Sequence, residues 1–251
     1  MNSASSTCLQ LDVGNSGAKW RLLVGDAVQA RGRYAVSDPA SAAPLLGCTE
    51  TLDCIWVASV ASAAQDEALA AMLTERWGVA PRFVTTPART GDLVNSYREP
   101  QRMGVDRWLA MLGARARCST RLCVVDVGSA VTIDMVAADG HHEGGYIIPG
   151  AELMERALLR DTQRVRFDRQ APPDLAAGTD TAQAVQHGIA LALCGAVELA
   201  VGHAAAAGEQ PRLFLTGGGA DAASGLLRIE FDLAPDLVFE GLSILRESAA
   251  T

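Results

Sequence analysis

The chain has 251 residues and carries 29 Asp and Glu against 21 Lys and Arg, a net charge of −8. That acidic balance, with arginines scattered singly, excludes a nucleic-acid surface and an anionic membrane surface and points to a small-molecule partner. No apolar stretch is expected to cross a bilayer, and Met1 to Thr7 lacks the charged and apolar regions of a signal peptide, so the expected location is the cytoplasm.

Thr7 to Val13, Ala18 to Val24 and Val28 to Tyr34 read as short strands of an antiparallel meander, separated by Gly or Asp turns. Leu52 to Val60 is an apolar strand, Ala61 to Trp77 changes to helical periodicity, and Arg82 to Thr85 is again a short strand. Thr86 to Met103 is polar, holds Pro87 and Pro100, and reads as a loop before an amphipathic helix at Val105 to Arg117. After the Cys118-Ser119-Thr120 break the pattern restarts, with strands at Arg121 to Val127, Val131 to Ala138 and Gly144 to Ile148. Helices at Ala151 to Gln163 and Thr181 to Ala207, a strand at Arg212 to Thr216 and a last segment at Leu237 to Ser248 follow. Two units, 1–118 and 119–251, each open with a glycine-turned meander and end in helices. They predict a duplicated α/β fold whose two domains face each other across a nucleotide cleft.

The six cysteines show no CxxC pair and no histidine at metal-ligand spacing. Cys8, Cys54, Cys123 and Cys194 lie in apolar runs and are expected as small buried hydrophobes. His141 and His142 share a hairpin turn and are expected in solvent, while His187 and His203 have packing or surface roles.

One signature occurs twice. Asp12-Val13-Gly14-Asn15-Ser16-Gly17-Ala18-Lys19 is echoed by Asp126-Val127-Gly128-Ser129-Ala130-Val131-Thr132. Each reads as a strand ending in a carboxylate, a tight glycine turn, and a returning strand. Such turns let backbone N–H groups reach phosphate oxygens, Asn and Ser add donors, and Asp holds a cation directly or through water. A single copy would be an ordinary hairpin turn; two copies in matching context make nucleotide phosphate the expected ligand. Lys19 is the only lysine in the chain, and it is either a phosphate contact or a solvated strand-end charge.

A further segment, Tyr97-Arg98-Glu99-Pro100-Gln101-Arg102-Met103-Gly104-Val105-Asp106-Arg107, precedes and opens the central helix. Asp106 lies at a helix start, where the macrodipole favours the anion, so it reads either as a helix cap or as a base. Two other glycine segments, Gly144 to Gly150 and Gly217 to Ala220, close strands of the second half.

In this order the motifs resemble those of the type III pantothenate kinases, members of the actin, sugar kinase and Hsp70 ATPase superfamily, over almost the whole chain. The resemblance implies two ribonuclease H-like domains and ATP-dependent phosphorylation of pantothenate to 4′-phosphopantothenate, the first step of coenzyme A biosynthesis. It implies Asp106 as the proton acceptor, with Tyr97, Gly104, Val105 and Arg107 on pantothenate. ATP then lies on Asp12 to Lys19 and on Ser129, which stands where the family has Thr. Asp126 matches the position that holds a monovalent cation, potassium or ammonium, and magnesium accompanies the ATP. Thr181, in Gly178-Thr179-Asp180-Thr181, resembles a GxNT segment whose Thr reaches pantothenate across a homodimer interface; Asp180 replaces the Asn and adds a negative charge. The rival expectations are a nucleotide-binding regulator of the same fold and a kinase for another small alcohol.

Overall fold

The computed structural model describes residues 6–35, 38–167 and 171–249. The chain divides into two units. One holds the chain up to residue 90, residues 97–113 and the chain from 238 onward; the other holds residues 91–96 and 114–237. The expected boundary at 118 differs from this division, which falls inside the central helix and gives the C-terminal helix to the first unit.

In the first unit, β1 (Thr7–Val13), β2 (Gly17–Val24) and β3 (Ala27–Ala35) form the meander. A 3-10 turn (Pro39–Ala42), α1 (Ala43–Leu46), β4 (Cys54–Ser59), α2 (Ala63–Trp77), β5 (Arg82–Phe83) and β6 (Arg89–Thr90) follow. The sheet order is β3-β2-β1-β4-β5, antiparallel through the meander and parallel from β1 to β4 and β5. Alternation sends Leu9, Leu11 and Val13 to one face, where Trp20, Leu22, Ile55 and Val57 join Leu45, Leu69 and Leu73 of the helices in one core. Helix α2 starts at a capping box: Ser62 Oγ accepts from Gln65 N–H, and the Gln65 side chain returns to the Ser62 backbone. It stops at Gly78, whose φ of 69° suits glycine.

The second unit repeats the order. After β7 (Leu93–Val94) and the last turn of α3 (Val105–Arg117) come β8 (Leu122–Val127), β9 (Ala130–Val136) and β10 (His142–Pro149). Then α4 (Ala151–Asp161), α5 (Thr181–Ala206), β11 (Arg212–Thr216), α6 (Ala220–Ser224) and β12 (Asp232–Leu233) complete it. The sheet runs β10-β9-β8-β11-β12, again antiparallel in the meander and parallel beyond. Each unit is thus a five-stranded ribonuclease H-like sheet. The core here is Cys123, Val125, Ile133, Leu213 and Leu215 under Val197, Val201 and Ala204 of α5.

Three sequence expectations are corrected. Helix α5 has 26 residues and a mean hydropathy of 1.8 in its most apolar window, so a stretch long and apolar enough to cross a bilayer does exist. Its composition is explained in part by burial, because one face of α5 lies in the second core. His142 is buried: its Nε2 lies 3.0 Å from Asp134 Oδ1 and its Nδ1 2.8 Å from Ser96 Oγ. A register shift between His142 and Gly144 changes the β10 alternation and turns the ring inward. Cys54, at the start of β4, is half-buried rather than buried.

The C-terminal α7 (Leu237–Ser248) closes the polar face of the first sheet. Arg21 is 8% exposed. Its Nε donates to Gln10 Oε1 at 2.8 Å, and its Nη2 donates to the Phe239 carbonyl at 2.8 Å and to Ser243 Oγ at 3.0 Å. Gln10 Nε2 also reaches Ser243 Oγ at 3.2 Å. These bonds tie the guanidinium to both the sheet and α7, which makes a buried cation tolerable. Helix α7 also meets α3 at backbone contact, since a Cβ on Gly241 would lie 2.2 Å from the Leu109 carbonyl oxygen. Gly241→Ala should therefore push α3 and α7 apart and cost about 1–3 kcal/mol in urea unfolding; unchanged stability would contradict this packing.

Candidate active site

The first phosphate-type loop sits at the tip of β1 and β2. Asp12 and Lys19 are register partners, and both are half-buried. Gly14 N–H donates to the Gly17 carbonyl at 2.9 Å and closes the turn. Val13 and Ala18 are buried beneath it while Asn15 and Ser16 stand exposed at the tip. A Cβ on Gly17 would lie 2.8 Å from the Tyr34 carbonyl oxygen, so glycine is required where β3 passes. The turn thus has hydrophobic anchors below and polar side chains above.

The second loop is built the same way and is more tightly enclosed. Asp126 pairs in register with Thr132 on one side and Thr216 on the other. Gly128 N–H donates to the Ala130 carbonyl at 3.0 Å, and Ser129 is exposed at the tip. Gly150 N–H donates to the Ser129 carbonyl at 2.9 Å, and a Cβ on Gly150 would lie 2.3 Å from the Gly128 carbonyl oxygen. Gly217, at φ 98°, approaches the Asp126 carboxylate so closely that a Cβ would lie 2.4 Å from Oδ1. The two glycine segments noted in the sequence therefore seat the Asp126 loop, a role their spacing alone does not reveal.

Among the described residues no three His, Cys, Asp or Glu side chains gather as a metal cluster. A protein cage for zinc or another transition metal is not formed by them. Single carboxylates such as Asp12 and Asp126, next to backbone carbonyls, fit a hard cation that takes its other oxygens from phosphate and water.

The third group opens α3. Gly104 precedes the helix, and Trp108 N–H makes the first helical bond to the Gly104 carbonyl at 3.2 Å. The Asp106 carboxylate folds back over the helix start: Oδ1 accepts from the Arg107 N–H at 2.8 Å. A Cβ on Gly104 would lie 2.6 Å from that same oxygen. Asp106 thus engages a first-turn N–H, as a cap would, while remaining half-buried. Arg107 is 6% exposed; its Nη1 donates to the Tyr97 hydroxyl at 2.9 Å, and its guanidinium lies 5.8 Å from the Tyr97 ring centre. Val105 is buried and fixes the first turn from below. Sequence reading missed Thr86, whose Oγ1 donates to the Met103 carbonyl at 2.9 Å and sets the chain entering α3. A contact across 17 positions leaves no local pattern.

Thr181 is the first residue of α5, in the second unit. It borders an open groove of about 870 Å³ between α4 and α5, lined also by Leu153, Met154, Leu158 and Ile189. Asp180 is the N-cap, its Oδ1 accepting from Gln183 N–H at 2.9 Å. Asn caps a helix equally well, so the Asp at this position leaves the helix start intact.

The profile of the family described as type III pantothenate kinase matches residues 8–203. A type III pantothenate kinase of Thiobacillus denitrificans is 39% identical over 236 residues, covering 92% of this chain and 93% of the relative. Among solved structures, (R)-2-hydroxyglutaryl-CoA dehydratase component A of Acidaminococcus fermentans superposes with a TM-score of 0.56 at 15% identity, covering 98% of this chain and all of that one. MreB 5 of Spiroplasma citri bound to AMPPNP gives a TM-score of 0.50 at 11% identity, covering 98% and 97%. The structural likenesses share the actin-like ATPase fold, and the profile and the relative carry the closer kinship: the chain belongs to the type III pantothenate kinase family.

Proposed function

We propose that this chain transfers the γ-phosphoryl group of ATP to the terminal hydroxyl of pantothenate, giving 4′-phosphopantothenate, the first step of coenzyme A biosynthesis. Family membership supports the reaction. The single structural observation that carries the assignment of roles is the α3 start, where a carboxylate, a guanidinium and a phenol are held together at the end of a helix.

Phosphoryl transfer asks the protein chiefly for positioning and charge neutralisation. Asp106 orients the acceptor hydroxyl and takes its proton; the helix N-terminus keeps the carboxylate anionic. Arg107, aligned by Tyr97, brings its planar guanidinium to the amide and carboxylate oxygens of pantothenate, and Gly104 and Val105 line the same turn. In the first unit, Asp12 to Lys19 present backbone and side-chain donors to the polyphosphate. In the second, Ser129 supplies a hydroxyl to ATP and Asp126 a carboxylate to potassium or ammonium. Magnesium, when bound, would neutralise charge on the phosphates, and Asp12 would hold it directly or through water.

The protein works as a homodimer in the cytoplasm. Leu191 and Leu199 on α5 are 59% and 61% exposed, and the groove beside Thr181 is open; a second copy laid on this helix covers both and brings Thr181 to pantothenate. Six free thiols accord with a reducing compartment.

A substrate panel with product detection by mass spectrometry should give phosphopantothenate in preference to any phosphorylated hexose. Asp106→Asn should lower kcat by about 10²–10⁴-fold while nucleotide binding persists. A hexose product, or full activity in the variant, would overturn the reading. Sedimentation should show a dimer, and Thr181→Ala should raise KM for pantothenate more than it lowers kcat; a fully active monomer would refute the cross-subunit role.

A further inference from the structure

Strands β1 and β4 run parallel with Cys8 opposite Cys54. Neighbouring strands lie about 4.7–4.9 Å apart and register partners share a face, so the two Cα atoms fall within the span of about 4.4–6.8 Å that a disulfide bridges. The strand starts are fixed beside them. Asp53 Oδ2 accepts from the Thr7 N–H at 2.7 Å, and the Asp53 N–H donates to the Thr7 carbonyl at 2.9 Å. Cys8 is fully buried and Cys54 only half-buried. Solvent therefore reaches the Cys54 residue, with buried Cys8 beside it in register.

The charges around the pair divide its roles. The hydrogen bond from Cys8, helped by the Arg246 guanidinium and the Trp56 side chain, brings the Cys54 thiol down to about 7, against burial and the Asp53 carboxylate. The same bond, with burial and the charge of Cys54, pushes Cys8 far up, and Arg246 offsets only part of that. Arg246 Nη1 is buried with no hydrogen-bond partner among the described residues, and its other terminal nitrogen lies 3.6 Å from the exposed Asp26 carboxylate. Burial instead raises Cys48, Cys123 and Cys194. A low, accessible thiol beside a buried partner is the arrangement that oxidant-reactive cysteines share.

We propose that Cys54 and Cys8 form a hydroperoxide-reactive dithiol site, with Cys54 as the attacking thiol and Cys8 as the resolving thiol of an intrachain disulfide between β1 and β4. The Cys54 thiolate attacks a peroxide oxygen; the S–O bond forms, the O–O bond breaks, and the departing oxygen takes a proton to leave as water or alcohol. The Cys8 sulfur then attacks the Cys54 sulfenic acid. The S–S bond forms, the S–O bond breaks, and the hydroxyl leaves as water with the Cys8 proton. Two thiols lose two electrons, and the hydroperoxide gains them.

The test exposes the full chain to hydrogen peroxide, digests it without reduction and maps the peptides by mass spectrometry. The expected map shows one new link, Cys8 to Cys54, with the other four of the six thiols intact. Alkylation of Cys54 should reach half its maximal rate near pH 7, following its lowered thiol. In Cys8→Ala, which also removes the hydrogen bond that lowers Cys54, the Cys54 sulfenic acid should form more slowly and, once formed, persist and be captured by dimedone. Preferential oxidation of any other cysteine, or oxidised Cys54 left unlinked to Cys8 in the unaltered chain, would overturn the proposal, and the unaltered chain alone decides between these results.

Discussion

The close approach of backbone to carboxylate at glycine positions is the constraint on which the rest of the structure depends. Gly217 brings the chain after β11 against Asp126, and Gly104 leaves room for Asp106 to fold back over the start of α3; either oxygen would lie within 2.6 Å of a Cβ. Ordinary van der Waals contact needs about 3.5–4.0 Å, so any side chain there would displace the carboxylate from the turn that holds it. In each unit a carboxylate is thus placed by the absence of a side chain as much as by the presence of others.

A second layer of order keeps α3 in register with the first sheet. The Arg21 guanidinium joins Gln10 on β1 to Phe239 and Ser243 on α7, and α7 in turn touches α3 at Gly241 and Leu109. The start of α3, with Asp106 and Arg107, is fixed through a buried polar clamp and one backbone-to-backbone crossing. Removing one partner of such a clamp strands a buried charge, so its members stand or fall together. Positioning of this kind is what phosphoryl transfer requires of a protein.

Much of this was legible in the sequence, because it is local. Period-2 runs mark β1, β2 and β8 nearly to the residue, and helical periodicity marks α3 from Val105 to Arg117; the last segment, Leu237 to Ser248, has the right bounds but only the structure makes it the helix α7. The repeated Asp-x-Gly turn announced the duplication, which the identical strand orders of the two sheets display. The failures were long-range. A two-residue strand such as β12, Asp232–Leu233, is defined by its neighbour β11 and has no pattern of its own. His142 sits beside an exposed His141, and only a register shift distinguishes them. Helix α5 was read as a soluble helix, yet its composition also suits a bilayer, since a long core helix and a spanning helix share one pattern. Cys54 lies in an apolar run but at a strand start, where one side stays open.

The most direct measurement is a crystal structure of the chain with pantothenate and a non-hydrolysable ATP analogue. The account predicts the terminal hydroxyl of pantothenate in hydrogen-bond contact with the Asp106 carboxylate, with Arg107 and Tyr97 on the same molecule. Pantothenate bound with no contact to Asp106 would contradict it.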